Sequence, residues 1–136
     1  MKVINGENCI AGRVAANAAK AGLLGQDVVV VNCGKMVITG SPRTTIEHYL
    51  DVSHRRGKPT KGPFYHRRPD MFIRRMIRRM LPKNARGIAC FKRIMCYTDV
   101  PEQFKNAESI ASASAERVLS KRITVAKLCE ELGGKW

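Results

Sequence analysis

Four consecutive valines, Val28–Val31, narrow the choice of folds for this 136-residue chain more than any other stretch. The β-branched run is unbroken, and it stands between two polar residues, Asp27 and Asn32. A strand with one solvated face alternates apolar and polar residues, whereas a continuous apolar run is typical of a strand covered on both faces. The sequence therefore predicts a central strand at Asp27–Asn32, in a sheet with helices packed on both sides.

Helical patterns separate this strand from other strand candidates. The alanine-rich stretch Ala11–Leu24 predicts a helix that ends before Gly25, because alanine is the strongest helix former. Alternation of strands and helices predicts an α/β fold with a mostly parallel sheet, and the length suits one domain covering residues 1–136. Residues 105–122 show no clear pattern. The other candidates are strands at Lys2–Ile4, Met36–Thr39 and Ile94–Thr98 and helices at Pro42–Val52, Asp70–Leu81, Asn84–Arg93 and Val125–Leu132, with Ser41 and Thr124 as N-caps.

Charge divides the chain into a near-neutral body and a strongly basic segment. The whole chain has 25 Lys and Arg against 11 Asp and Glu, a net charge of +14. Residues 53–93 hold fourteen of the basic residues and a single acid, Asp70, whereas the other 95 residues hold eleven bases and ten acids. A solvated surface usually mixes both signs, so an excess of this size predicts a polyanionic partner.

The helix expected at Asp70–Leu81 separates apolar and basic residues onto opposite faces. At about 100° per residue, six apolar side chains take one half of the helical wheel and four arginines take the other. The apolar half must pack on protein, which fixes the orientation of the guanidinium groups. Arginine suits a phosphate because its planar fork donates two hydrogen bonds. The apolar residues are Phe72, Ile73, Met76, Ile77, Met80 and Leu81, and the arginines are Arg74, Arg75, Arg78 and Arg79.

The loop before this helix, Ser53–Arg68, adds further cations on an irregular backbone. It contains Gly57, Pro59, Gly62 and Pro63 without apolar periodicity, so we expect an exposed, extended loop that is mobile when free. Such a loop beside an arginine helix favours folded RNA, which proteins recognise by shape and phosphates. Neither a helix-turn-helix nor a zinc finger is recognisable, and an aromatic content of 6% argues against a stacking surface rich in Tyr and Phe.

The basic residues of this segment are the candidate RNA contacts, together with one arginine of the first helix. That residue, Arg13, is either an RNA contact or a residue that caps or packs the start of its helix. An amphipathic basic helix also binds membrane surfaces or calmodulin, but the Gly- and Pro-rich loop does not suit insertion. The candidate contacts are Arg13, Arg55, Arg56, Lys58, Lys61, His66, Arg67, Arg68, Arg74, Arg75, Arg78, Arg79, Lys83, Arg86, Lys92 and Arg93.

Cysteine spacing and apolar run lengths bear on the compartment. The five cysteines form no C-x-x-C pair, and each has apolar neighbours, so we expect buried, reduced thiols and no metal site. No apolar run approaches the roughly 18 residues of a membrane span, and the N-terminal residues lack the apolar core of a signal peptide. The expectation is a cytoplasmic protein without a membrane partner.

Motifs for catalysis and cofactor binding are incomplete. Gly34-Lys35 is not followed by Ser or Thr, so the phosphate loop of a Walker A motif is not formed. A ribonuclease would find its acid–base groups in His48, His54 and His66. Asp70 is the only carboxylate nearby, however, so a two-metal site lacks ligands. We expect no enzyme activity, no cofactor and no small-molecule substrate, while an RNA-modifying enzyme and a free RNA-binding regulator stay open as alternatives.

Motifs along nearly the whole chain resemble the universal L13 family of large-subunit ribosomal proteins, in its archaeal and eukaryotic branch. The most specific stretch runs from Lys61 through Gly62-Pro63 to Pro69 and on to Met80-Leu81-Pro82. Ala11, Arg68, Arg75 and Arg79 depart from the usual family pattern, and the absence of a long C-terminal extension suggests an archaeal or reduced lineage. The other matching residues are Gly12-Arg13-Val14-Ala15, Val28–Asn32, Lys35–Gly40, Arg86-Gly87, Leu132-Gly133 and Lys135-Trp136.

The resemblance implies both a fold and a function. The fold would be a three-layer α/β/α domain with a mostly parallel four-stranded sheet, to which the basic loop and helix are an extension. The function would be that of a structural constituent of the large ribosomal subunit, which binds large-subunit ribosomal RNA beside neighbouring ribosomal proteins and has no catalytic role.

Overall fold

The computed structural model describes residues 1–58, 60–62, 64–116 and 118–136. Pro59 and Pro63, on which the expectation of an extended basic loop partly rests, lie outside these residues. Five helices are present in the described part of the chain: α1 (Ala11–Leu23), α2 (Pro42–His54), α3 (Pro69–Met80), α4 (Ala85–Lys92) and α5 (Val125–Glu131). The strands in the same part are β1 (Lys2–Asn5), β2 (Val28–Val31), β3 (Val37–Thr39), β4 (Ile94–Cys96), β5 (Glu108–Ser109) and β6 (Arg122–Thr124).

A parallel sheet with the order β4-β2-β1-β5 forms the centre of the fold. β1 pairs with β2 from Lys2 opposite Val28 to Asn5 opposite Val31, and β4 pairs with the other edge of β2. All four valines of β2 are buried. The prediction of a doubly covered strand in a mostly parallel α/β sheet is therefore confirmed, and the architecture is that of a three-layer α/β fold.

β3 leaves this sheet and pairs antiparallel with β6 in a separate two-stranded sheet. Residues 32–36 are the only link between β2 and β3, whereas a parallel neighbour needs a crossover of about a dozen residues or more. Asn32 turns the chain aside with φ 57°, and its side-chain amide donates to the side-chain oxygen of Asn5 at 2.8 Å. The partner strand β6 begins at the end of the stretch for which the sequence showed no pattern.

The helices that matter for the basic surface are held by close backbone packing. α1 contacts α3 and α4, and α3 also contacts β4 and α5. Gly87, in the first turn of α4, lies so close to the preceding turn that a Cβ atom there would stand 1.9 Å from the carbonyl oxygen of Pro82. The Arg86-Gly87 pair is therefore explained by sterics, because only glycine fits where α4 meets Pro82.

The two predicted N-caps differ in their chemistry. The Thr124 hydroxyl oxygen accepts a hydrogen bond from the backbone N–H of Lys127 at 3.3 Å, so this cap is confirmed. Ser41 does occupy the N-cap position of α2, with Pro42 at the first helical position, but its side chain makes no capping hydrogen bond. α2 also continues to His54, two residues beyond the predicted end.

Candidate nucleic-acid interface

The amphipathic division of α3 is confirmed, with one error at its end. Phe72, Ile73 and Ile77 are buried in the core on the inner side of the helix, and Leu81 is buried just after it. Met80, expected on the buried face, is instead 44% exposed. A helical wheel gives the direction of a side chain and not what covers it. Met80, in the last turn of α3, borders two open depressions, one with Leu23 and Leu24 and the other with Tyr49.

Aromatic rings hold the arginines of α3 in place. The guanidinium carbon of Arg74 lies 4.8 Å from the centroid of the Phe91 ring, and that of Arg75 lies 4.2 Å from the centroid of the Tyr65 ring. Arg78 shares the Phe91 ring at 5.7 Å. These cation–π contacts restrict long side chains that would otherwise be flexible.

Burial divides the four arginines into two pairs. Arg74 and Arg75 are half-buried, whereas Arg78 and Arg79 are exposed. Arg79 Nη1 donates to the Tyr65 hydroxyl at 3.5 Å. Two of the four arginines therefore pack on aromatic residues that the pattern of charges did not reveal.

An open depression of about 800 Å³ lies over this face of α3, and we call it the arginine basin. Arg74 lines the basin, and its Nε is buried, where no hydrogen-bond acceptor among the described residues reaches it. A buried donor without a partner carries a cost in free energy. Cations clustered on one face also repel each other until an anion binds. The basin is lined by His66, Met71, Arg74, Arg75, Arg78, Arg79, Leu81, Lys83 and Phe91.

The cations of the basic loop surround α3 with mixed partners. Arg55 and Arg56 both pair with Asp51, at 3.8 and 3.1 Å. Arg68 donates to the carboxylate of Asp70 at 2.9 Å. Exposed ion pairs of this kind contribute about 0–1 kcal/mol, so these arginines stay available to a phosphate.

The remaining loop cations, Lys58, Lys61 and Arg67, are exposed. The backbone N–H groups of Lys61 and Gly62 donate to the carbonyl of Lys58, which forms a tight turn. Arg67 lies beside the end of α5, where one of its terminal nitrogens is 3.5 Å from the position that a Cβ atom of Gly133 would occupy. A cation near a helix C-terminus is favourable, so Arg67 also joins the loop to the body of the fold.

Three other predicted contact residues bind backbone carbonyl groups of the protein itself. Arg86 donates to the carbonyl of Leu23 at 2.9 Å, and Arg93 donates to that of Gly25 at 3.1 Å. Together they bind the C-terminal end of α1. Arg13 donates to the carbonyl of Ser112 at 3.0 Å.

Arg13 is nevertheless exposed, so its contact with RNA stays a prediction beside the packing contact that the structure shows. Lys92 is exposed and lies with Arg78 and Lys83 around a second depression beside the basin.

Comparison with known proteins places this architecture in a family. A family model described as "Ribosomal protein L13" matches residues 1–103. The chain belongs to the ribosomal protein L13 family. The "Large ribosomal subunit protein uL13" of Methanopyrus kandleri is 41% identical over 96% of this chain and 86% of its own length. The proteins of the same name from Methanococcoides burtonii and Methanococcus maripaludis are 38% and 39% identical, and each alignment covers both chains completely.

Membership of the L13 family confirms the resemblance drawn from the motifs and, with it, the class of function. Proteins of this family are structural constituents of the ribosome and are not enzymes, so the prediction of a non-enzymatic protein is confirmed. The stretch that carried the resemblance runs from Lys61 to Pro82. It contains α3 and supplies most of the residues that line the arginine basin.

The crevice where many α/β sheets bind cofactors is occupied by backbone in this L13-family chain. Such crevices open where the strand order reverses, which in this sheet is between β1 and β5. A short 3-10 helix at Ala111–Ala113 lies there, and its Ala113 carbonyl accepts from the N–H of Ile10 at 2.7 Å. The N–H of Ala115 donates in turn to the carbonyl of Asn8 at 2.9 Å.

Across the described residues, His, Cys, Asp and Glu side chains form no group of three or more that would hold a metal ion. None of the helices in the same part of the chain has the length and apolar character needed to span a bilayer.

Proposed function

We propose that this L13-family protein is a structural constituent of the large ribosomal subunit and binds large-subunit ribosomal RNA through the arginine basin and the basic loop 53–68. The observation that carries this proposal is the basin, where arginines stacked on aromatic rings line one open depression together with Lys83. The relatives' name, large ribosomal subunit protein uL13, supports the same assignment. Neighbouring ribosomal proteins complete its surroundings, in the ribosomes of the cytoplasm.

The mechanism follows from the division of charge. The near-neutral α/β body folds around its own core, and it presents α3 and the loop as a fixed cationic surface. RNA helices repel each other through their phosphates, and the basin neutralises this charge where two backbones approach. Because Tyr65 and Phe91 already restrict the arginines, less side-chain entropy is lost on binding than for free side chains.

Sedimentation tests the place of the chain in the ribosome. In a sucrose gradient of a cell lysate, we expect it to migrate with the large subunit, to resist a high-salt wash and to be released by ribonuclease. A chain that stays at the top of the gradient would contradict the proposal and favour a free RNA-binding regulator or an RNA-modifying enzyme.

Charge reversal tests the surface itself. Arg78→Glu with Arg79→Glu is the informative pair, because both residues are exposed, whereas a Glu at half-buried Arg74 would also disturb packing against Phe91. With about 6–10 phosphates contacted, the affinity of the wild type for ribosomal RNA should fall roughly 10³- to 10⁵-fold between 50 and 200 mM salt. The double variant should bind far more weakly, and its dependence on salt should flatten by about one unit of slope for each phosphate that the protein no longer neutralises.

The matched control is Lys121→Glu with Lys127→Glu, which makes the same change in charge at exposed lysines outside the basic segment. This control should retain most of the affinity. Equal losses in the two double variants would show that only net charge matters, and the basin would then have no special role. Circular dichroism checks that both variants keep the α/β fold.

A further inference from the structure

A smaller cavity of about 220 Å³, separate from the depression at Lys92, adjoins the arginine basin between α2, the basic loop and α3. Three aromatic residues from these three segments, Tyr49, Tyr65 and Phe72, line it together with Met76 and Met80. Drug-sized ligands occupy cavities of about 300–1,000 Å³, so this one suits a single flat ring system. We call it the aromatic pocket.

The aromatic pocket and the arginine basin share two side chains, since Arg75 and Arg79 line both. A ligand that reaches from one cavity to the other therefore combines an anionic part with an apolar, planar part. A nucleotide has this composition, because its phosphate is joined through the sugar to its base.

We propose that the aromatic pocket receives one unstacked base of the RNA whose phosphates lie in the arginine basin. This inference rests on the proposed function and adds to it a contact with a base rather than with the backbone. Proteins that recognise folded RNA commonly take bases from loops and bulges and place them against aromatic or guanidinium planes.

The arrangement of the rings supports this occupant. Tyr49 contacts Tyr65 and Phe72 at centroid distances of 5.4 and 5.3 Å with interplanar angles of 77° and 65°, so these rings meet edge to face and not in parallel stacks. The edge-to-face contacts fix the rings. Phe72 is only 3% exposed and the Arg75 guanidinium lies over the Tyr65 ring, so a base would stack on Tyr49 or on that guanidinium plane. The low aromatic content of the chain had argued against a stacking surface, but three of its eight aromatic residues line this pocket.

Met80 provides an independent observation. Its side chain lines the pocket and is 44% exposed, more than the other apolar pocket residues of α3, Phe72 and Met76. An exposed thioether gains from contact with an apolar ligand part, and its flexible side chain adapts to ring systems of different shape.

Ultraviolet cross-linking tests the proposal on the wild-type protein bound to large-subunit ribosomal RNA. After nuclease and protease digestion, mass spectrometry should find a nucleotide attached to Tyr49 or Tyr65, the two half-buried rings of the pocket. In isolated large subunits, a protein cross-link at these residues without a nucleotide adduct would show that a neighbouring protein fills the pocket, and that result would overturn the proposal.

Affinity measurements with Tyr49→Leu provide the second test. Loss of one stacked base should weaken binding to large-subunit ribosomal RNA by about 5- to 150-fold. The salt dependence should not change, because no phosphate contact is removed. The matched control is Tyr97→Leu. Tyr97 is half-buried like Tyr49, but its ring pairs with Phe104 and does not line the pocket.

The outcomes separate this inference from the proposed function. If Tyr49→Leu and Tyr97→Leu bind alike and no nucleotide is attached to the pocket residues, the aromatic pocket is only a gap in packing, while RNA binding by the wild type still stands. A flatter salt dependence of Tyr49→Leu would assign its effect to displaced arginines and would overturn the base contact. Absence of RNA binding by the wild type would instead reject the proposed function.

Discussion

The guanidinium carbon of Arg75 lies 4.2 Å from the centroid of the Tyr65 ring, so the end of the basic loop is joined directly to the cationic face of α3. The same relationship recurs between Arg74 and Phe91, which joins α3 to α4. Arg74 and Arg75, the half-buried pair, are therefore each oriented by an aromatic residue of another segment. Under the proposed function, these aromatic residues position the arginines for RNA, and this role can be separated from that of charge.

Replacing Phe91 by Leu should weaken RNA binding without changing the charge of the protein. Each exposed cation–π contact contributes about 0.5–1 kcal/mol, and Phe91 contacts two arginines, so we expect a loss of affinity of about 5- to 30-fold. Filter binding to ribosomal RNA at fixed salt measures it. Phe104→Leu is the control, because Phe104 is half-buried but contacts Tyr97 rather than an arginine. Equal affinities of the two variants would contradict the positioning role.

Replacing Gly87 by Ala should destabilise the fold. The added Cβ would stand 1.9 Å from the carbonyl oxygen of Pro82, so α4 must shift, and overpacking of this kind costs about 1–3 kcal/mol. Urea denaturation should show a lower midpoint. Because α4 carries Phe91, the variant should also bind RNA more weakly.

Gly12→Ala is the matched control for Gly87→Ala. Gly12 lies in the first turn of α1, and a Cβ there would have no atom within 4 Å. Alanine is favoured over glycine in a helix by up to about 1 kcal/mol, so this variant should be as stable as the wild type or more stable. A Gly87→Ala protein with the same midpoint as Gly12→Ala would refute the steric explanation.

Replacing Thr124 by Ala should cost about 1 kcal/mol, the usual value for the loss of an N-cap side chain. The Thr124 hydroxyl oxygen accepts from the N–H of Lys127, and alanine offers no acceptor. Ser41→Ala should change the free energy of unfolding by less than about 0.5 kcal/mol, because Ser41 accepts through its backbone carbonyl. Thermal denaturation of the two variants measures both losses of stability. A larger loss for Ser41→Ala than for Thr124→Ala would contradict the assignment of the two caps.

The five cysteines should resist alkylation in the folded protein. All five are free and buried. Burial raises the pKa of the Cys129 thiol to about 12, and the pKa of Cys33 is raised by a hydrogen bond with Cys96 and by burial. Iodoacetamide at pH 8 should therefore label the urea-unfolded chain at five positions and the native chain at none, as counted by mass spectrometry. Labelling of the native chain at Cys129 or Cys33 would contradict this.

The raised pKa of the Cys129 thiol predicts that the free energy of unfolding decreases at alkaline pH. The folded pKa of Cys129 lies above the value of about 8.5 in an unfolded chain, so folding favours the neutral thiol. Its contribution is complete below about pH 8.5 and decreases as the pH rises toward the folded value. The urea midpoint should drop between pH 8 and pH 10, and the drop should be smaller in Cys129→Ala.

Local patterns accounted for much of the fold. Val28–Val31 predicted the buried central strand correctly, because an apolar run without alternation requires cover on both faces. The helical spacing of apolar residues in α3 correctly placed Phe72, Ile73 and Ile77 in the core, because an apolar stripe on one face of a helix packs against protein. At Met80 the prediction was wrong, since a helical period gives the direction of a side chain and not whether other residues cover it.

The candidate site was predictable in its charge and not in its geometry. The concentration of cations in residues 53–93 identified the surface, because net charge is a property of the sequence itself. That concentration did not distinguish the stacked Arg74 from Arg86, which binds the carbonyl of Leu23 at the end of α1. Both are arginines in the same basic segment, and only their neighbours in space differ.

The sequence alone determined the alternation of strands and helices, the division between a neutral body and a basic segment, and the family to which the chain belongs. The tertiary structure decided that β3 pairs with β6, that Tyr65 and Phe91 hold the arginines, and that Arg13, Arg86 and Arg93 bind backbone carbonyls. The physical reason is the range of the interactions. Periodicity and charge are carried by neighbouring residues, whereas stacking, capping across elements and strand pairing join residues far apart in the chain and exist only once the core has brought them together.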